Sequence, residues 1–386
     1  MKMMKGLYLL ALPLLLLSSC GGKPASSGDG EIVDALGKKF SPKDYSRICC
    51  VGAGALRLYS YVGDLEKLCA VEDIDDPTDR ASETGPKQFS GVPRPYFDLN
   101  ADVFNNLPSC GVGGPNFQAP EKDKLILCEP DLIVSEYGTL DAANLMEEAT
   151  GADVFTLSYG PKNVFDEKSQ SSLLNLAKLL KRDSVGESLV SYIKECEKDI
   201  SDRTKDIDVH PKAFVGGIGN WGQTDIYTTH TAYPMFQIAH IDNAVAGKEF
   251  PGGSKQGAVT KEEWIGLGQN LDILYLDAAG VKKTGGLYKE DDTIFDGNKA
   301  IANGEVYLQM PFNAYYTNLE IALMDAYFDA AMAYPTHFAD VDLTAKYDEI
   351  LTRFLGKPGY ASLSSMSGAY GGFRKISDLE GWFGSL

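Results

Sequence analysis

The side chains able to do chemistry in this chain gather where apolar runs end, and what they offer is recognition. Gly52-Ala53-Gly54-Ala55 joins an apolar run to a helix-forming one. Free backbone N–H groups and the helix dipole at such a junction favour an anionic group; the same glycines also suit a tight turn. Arg57, one turn in, either adds charge there or lays its stem along the surface with its head in water. Pro93-Arg94-Pro95-Tyr96 is a stiff loop presenting Arg94 and Tyr96, a clamp suited to carboxylate or another oxyanion. Gly113 and Gly114 permit close backbone approach. Farther on, a glycine-rich stretch holding Asn220 and Trp221 leads into Tyr227-Thr228-Thr229-His230-Thr231-Ala232-Tyr233. Thr229, His230 and Tyr233 there, and Tyr315 and Tyr316 in Asn313-Ala314-Tyr315-Tyr316-Thr317-Asn318, combine apolar faces with polar tips, as a ligand wall does. Tyr137 and Tyr159 close two more apolar runs.

Catalytic signatures are missing from the sequence. The four histidines, His210, His230, His240 and His337, include no pair four residues apart with a glutamate, so a zinc-binding helix is not expected. No GxSxG, P-loop or Cys–His pattern stands in context. Cys49, Cys50, Cys69, Cys110, Cys128 and Cys196 form no CxxC spacing, and four of them lie in apolar surroundings, so free core thiols are expected. A disulfide is permitted outside the cytoplasm, but adjacent Cys49 and Cys50 point to opposite faces of a strand and spacing alone assigns no pair. No cofactor and no metal site are expected.

Positioning these groups requires an alternation of short strands and helices, which predicts parallel sheets. In the first half the pattern places strands over Arg47–Gly52, Lys67–Glu72, Asp131–Glu136 and Asp153–Leu157, and helices over Ala53–Val62, Glu121–Cys128 and Ala142–Thr150. Ser109–Val112 reads as a short strand and Pro93–Asn106 as irregular. Asp166–Lys181 is amphipathic, with Leu173, Leu174, Ala177 and Leu180 at helical spacing. Ser184 then fits an N-cap with Glu187 at the capping-box position, opening a helix to about Arg203, roughly 30 Å long. The second half restarts with strands at Ala213–Gly217, Leu271–Asp277 and Glu305–Met310, and helices at Glu262–Gly268 and Thr317–Ala333. The helix-turn-strand unit Lys124–Val134 is echoed at Glu263–Asp277. The predicted fold is α/β: two lobes with parallel-sheet cores, 41–165 and 207–386, joined by a helical connector over 166–206 with one long helix, and a ligand cleft between them at the carboxyl ends of the strands.

The first forty residues differ in texture. Lys2 and Lys5 precede the apolar run Gly6–Leu17, too short to span a bilayer and suited to a secretion signal over 1–19. It ends in Leu17-Ser18-Ser19-Cys20, which resembles a bacterial lipobox and marks Cys20 for lipidation; residues 20–40 read as a flexible tether. The formal charge of −18, or −20 once Lys2 and Lys5 depart, argues against nucleic acid and against polybasic membrane contact. The membrane is expected to be met only through the lipid, on the extracytoplasmic side of the cell envelope, by a monomer.

GAGALRL at 52–58, EPDLIVS at 129–135, AANLMEEATGADVFTLSYG at 142–160 and NGEVY at 303–307 resemble, in order and across nearly the whole mature chain, the ABC-transporter periplasmic binding proteins of the ferric-siderophore, haem and cobalamin group. The resemblance implies two lobes on a single connecting helix, no enzymatic activity, and a small-molecule ligand passed to an importer permease. It implies a metal chelate, siderophore or haem iron or a corrinoid, as the ligand; relatives that bind molybdate or tungstate keep an oxyanion as the alternative. A chelatase-like enzyme on the same architecture would need a metal-binding histidine or paired acids in the cleft, and His230 alone is available. The group grips its permease with one carboxylate per lobe, which points to Glu121 or Asp123 in the first lobe and Glu262 or Glu263 in the second.

Overall fold

Ile48-Cys49-Cys50-Val51 is apolar on both faces, as a strand inside a helix-covered parallel sheet must be, and all four residues are buried. The computed structural model describes residues 31–76, 89, 91–114, 121–136, 138–162, 164–219 and 224–386. A small hairpin, β1 (Ile32–Val33) with β2 (Lys39–Phe40), precedes β3 (Ile48–Val51), α1 (Ala55–Val62) and β4 (Leu68–Ala70). Two single-turn helices, α2 (Pro95–Asp98) and α3 (Ala101–Phe104), lead to α4 (Lys122–Cys128), β5 (Leu132–Glu136), α5 (Leu140–Thr150) and β6 (Asp153–Leu157). The first sheet has the order β4-β3-β5-β6 with every pair parallel.

The connector comprises α6 (Glu167–Leu179) and α7 (Asp183–Thr204), which pack on each other. The second lobe then runs β7 (Lys212–Gly216), β8 (Thr228–His230), α8 (Pro234–Ile238), β9 (Asp242–Asn243), β10 (Gln256–Ala258), α9 (Lys261–Gly268) and β11 (Ile273–Asp277). It continues through α10 (Val281–Glu290), α11 (Lys299–Ala302), β12 (Val306–Gln309), α12 (Leu319–Ala333), α13 (Leu343–Leu355), α14 (Tyr360–Ser364), β13 (Arg374–Lys375) and α15 (Leu379–Ser385). Its sheet has the order β13-β12-β11-β7-β9, parallel except for the edge strand β13. Among the described residues no helix is long and apolar enough to cross a membrane.

One apolar core crosses from lobe to lobe. It joins the inner faces of both sheets, through Leu132 and Phe155 on one side and Ala213 and Tyr275 on the other, by way of α1, α6, α7, α12 and α13. The outer faces carry separate clusters, one around Ile133, Met146 and Leu125, the other around Phe214, Trp264 and Phe295. α12 is buried on almost every face, and its sequence is accordingly apolar nearly all round.

Several elements depart from the sequence expectation. Pro93–Asn106 is two short helices, not irregular chain; Pro95 at the first helical position of α2 is preset for that turn. Ser184 does not cap α7. The residue before that helix is Arg182, whose Nε donates to the Val62 carbonyl at 2.7 Å and ties the connector to the end of α1. Ser109–Val112 makes only a single bridge, Val71 to Ser109.

Candidate ligand site between the lobes

In each sheet the chain reverses its direction of growth beside the central strand, and a crevice forms where the carboxyl ends of the two diverging strands part. In the first lobe this point lies between β3 and β5. Gly52 follows β3 at φ 94°, and a Cβ there would stand 2.6 Å from the carbonyl oxygen of Glu136, the last residue of β5. In the second lobe it lies between β7 and β11, where a Cβ on Gly217 would meet the Asp277 carbonyl at 2.9 Å. Both central strands thus end in a buried acid pressed against a glycine. Burial pushes Glu136 up to about 9, with Arg57 opposing. Burial also pushes Asp277 up to about 8, against the Ala279 N–H it accepts. Burial thus favours the protonated form of both carboxyls.

Gly54 precedes α1 at φ 86° and admits Tyr159, whose hydroxyl would sit 2.6 Å from a Cβ there. Arg57, on α1, is fully buried and reaches across to the second lobe. Its two terminal nitrogens donate to the carbonyls of Ala314 at 2.8 Å and Tyr315 at 2.9 Å, and its guanidinium lies 4.6 Å from the Tyr96 ring centre. The turn it grips is unusual. Tyr315 and Tyr316 both stand at positive φ, 50° and 72°, conformations that cost a bulky residue about 1–2 kcal/mol each. From this turn Tyr315 enters the wall of the first lobe and packs with Ala53 and Ile74. Its hydroxyl accepts the Gly114 N–H at 3.2 Å and lies 3.3 Å from Glu72 Oε2. Tyr316 meets Tyr159 edge-on, with ring centres 4.4 Å apart.

Gly54, Ala55, Arg57, Gly113, Gly114, Tyr159, Tyr315 and Tyr316 are therefore brought together. Arg57 is not a surface arginine with its head in water; its guanidinium is a buried crosslink. Arg94 and Tyr96 stand behind this group and do not form an open clamp. Arg94 pairs with Asp75 at 2.9 Å, and Tyr96 donates to the same carboxylate oxygen at 2.6 Å. Tyr233 is not a cleft wall but core, packed edge-on against Phe236 and Phe312 with its hydroxyl 3.2 Å from Gln309. Thr229 is likewise fully buried, in the β8–β10 pair. His230 is only partly buried there; its Nδ1 accepts the Ala232 N–H, and burial with the nearby Lys255 charge lowers it to about 4, a neutral imidazole. Tyr137, Asn220, Trp221 and Cys20 lie outside the described residues.

Carboxyls stand at the cleft that the sequence reading did not place there. Glu72 accepts the Gly52 N–H through both oxygens, at 3.2 and 3.1 Å, and so occupies the donor expected to meet an anion. Burial, and then the Asp75 charge, push Glu72 up to about 8. Asp75, Glu136 and Glu320 are buried beside Glu72 or Arg57, a group of carboxyls that sequence reasoning missed. Their sequence signal, an acid within two residues of a buried strand end, holds only for Glu72 and Glu136. Of the candidate docking acids, Glu121 pairs with Lys124 at 3.0 Å, and Glu263 closes a capping box with Thr260 and binds Lys248. Asp123 and Glu262 are exposed in the first turns of α4 and α9.

No family model and no curated protein sequence matches the chain. Solved structures do. A periplasmic solute-binding protein from Veillonella parvula superposes with a TM-score of 0.66 at 18% identity, covering 87% of this chain and 95% of that one. The molybdate periplasmic binding protein MolA of Haemophilus influenzae, solved with molybdate bound, gives 0.60 at 14% identity over 86% and 99% of the two chains. CeuE of Helicobacter pylori, solved with a nickel–histidine complex, gives 0.55 at 15% over 84% and 95%. The chain has the fold of the periplasmic solute-binding proteins of ABC transporters.

Proposed function

We propose that this protein is an extracytoplasmic solute-binding protein, without catalytic activity, that takes up a small ligand between its lobes and delivers it to the permease of an ABC importer. The observation that carries this reading is the meeting, at the two strand-end crevices, of Arg57, Tyr159, Tyr315 and Tyr316 across the lobe boundary. We assign the ligand to the metal chelates, ferric siderophore, haem or corrinoid. Several tyrosines offer apolar faces with polar tips, while the backbone donors a bare oxyanion needs are partly spent, since the Gly52 N–H is taken by Glu72 and the Ala55 N–H by the Gly52 carbonyl. MolA, which holds molybdate, makes the oxyanion the competing ligand class.

Calorimetry against both classes decides. A chelate is expected to bind, and Tyr316→Ala and Trp221→Ala are each expected to weaken it by roughly tenfold, the loss of one aromatic contact. Tight binding of molybdate or tungstate with no heat from any chelate would move the assignment to the oxyanion. The lipid anchor at Cys20 is tested by fractionation: Cys20→Ala should appear in the soluble fraction, and a variant still sedimenting with membranes would remove lipidation from the proposal.

A further inference from the structure

Four cysteines distant in sequence converge on one face of the first-lobe sheet. Cys49 lies on β3 and Cys69 on the neighbouring β4, where the register slips between Ile48–Leu68 and Cys49–Ala70 and leaves Cys69 out of the ladder. Their sulfurs are 3.4 Å apart. Cys110, beyond the Val71–Ser109 bridge, and Cys128, the last residue of α4, pack into the same buried cluster as Cys49, their thiols turned to the carbonyls of Cys50 at 4.0 Å and Ser109 at 3.7 Å. Cys49, Cys110 and Cys128 are buried, whereas Cys69 is partly exposed. The described residues contain no group of three His, Cys, Asp or Glu arranged to hold a metal ion, which weighs against a thiolate metal site.

We propose that Cys49 and Cys69 are an oxidisable pair, closed to a disulfide by an extracytoplasmic thiol–disulfide exchange partner, with Cys69 the thiol that reacts first. Cys69 is the reachable sulfur and Cys49 the resolving one behind it. The Cys69 thiolate attacks the donor disulfide, forming a mixed disulfide and releasing one donor thiolate. Cys49 gives up its proton and attacks the Cys69 sulfur, expelling the second donor thiolate. Two protein thiols become one disulfide, and two electrons and two protons pass to the donor. The environment suits this order: the hydrogen bond from Cys49, helped by the Arg47 charge, holds the Cys69 thiol below its ordinary range against the effect of burial. Three residues beyond each cysteine stand Gly52 and Glu72, which hydrogen-bond to each other at the cleft. The crosslink would therefore fix the two strands that carry one wall of the ligand site.

The test is thiol mapping of the full chain by alkylation, digestion and mass spectrometry, after incubation with oxidised glutathione and again after reduction. The expected result is a peptide pair linked through Cys49 and Cys69, a mass 2 Da below that of the reduced protein, and no such link in Cys69→Ser, a substitution at a partly exposed site. Oxidised wild-type protein is expected to melt at a higher temperature than reduced protein, and Cys69→Ser at the same temperature under both conditions. A link from Cys49 to Cys110 or Cys128 would overturn the pairing. Cys49 and Cys69 both still alkylatable after excess oxidant, or a stoichiometric metal ion released by a thiol reagent, would overturn the oxidisable pair itself.

Discussion

Replacing Arg57 by methionine should destabilise the protein by roughly 2–6 kcal/mol, since it leaves the Ala314 and Tyr315 carbonyls buried without donors, at about 1–3 kcal/mol each. Methionine fills most of the volume of the stem, so a cavity contributes little. The loss should be felt first at the turn those carbonyls belong to. Tyr315 and Tyr316 are held at positive φ by their surroundings, and the guanidinium is the one cation bonded to that backbone among the described contacts. Denaturant unfolding would show the lowered midpoint, and hydrogen exchange would show Tyr315–Thr317 losing protection ahead of the sheets. Arg57→Lys keeps the charge but not the fork that spans two carbonyls, so it should fall between wild type and methionine. A methionine variant with an unchanged midpoint would mean that Arg57 does not tie the lobes together.

The contribution of Glu136 to stability should fall as pH rises from about 4.5 to about 9, and Glu136→Gln should remove it. Glu136 is 2% exposed, and its Oε2 has no hydrogen-bond partner among the described residues. Burial raises it from 4.5 to about 9, so between those values the native protein keeps a proton that the unfolded chain has lost. The native state then binds more protons than the unfolded state, and the stability difference falls with rising pH until the native group also ionises. Glu72 and Asp277, both raised to about 8 by burial, act in the same direction over the lower part of that window. Glutamine has no proton to lose. The variant should match wild type near pH 4.5 and exceed it by a growing margin up to pH 9, on the order of several kcal/mol at the top. Unfolding curves at pH 5, 7 and 9 measure this; a constant offset between the two proteins would refute it.

The two-lobed parallel architecture was legible because buried strands such as Leu132–Glu136 and Ile273–Asp277 are short apolar runs bounded by glycine, acid and turn residues. The glycine junction before α1 was legible for the same local reason. Arg57 was not, because its partners lie more than 250 residues away and nothing around it distinguishes a buried guanidinium from a surface one. Tyr233 misled because a tyrosine in a polar loop has the same composition whether it faces ligand or core; its ring packing with Phe236 and Phe312 decides. The thiol cluster was hidden in the same way, since strand pairing and the position of α4, not spacing, bring Cys49, Cys69, Cys110 and Cys128 together. α13 repeats Tyr347, Ile350, Leu351 and Phe354 at helical spacing and could have been read from it, whereas α14 and α15, of 5 and 7 residues, are too short to show a period.

If the ligand binds where proposed, the strained tyrosine turn sets a toll on occupancy. With one core running through both lobes, a wide swing of the lobes would tear apolar contacts, so on the proposed binding role room for a ligand would come chiefly from displacing Tyr315 from the first-lobe wall. The measured dissociation constant is then the intrinsic one divided by the fraction of molecules whose turn has withdrawn. Energy stored in two positive-φ tyrosines raises that fraction, and the Arg57 bonds lower it. Affinity would then be tuned by the balance between a bent backbone and the guanidinium that keeps it bent.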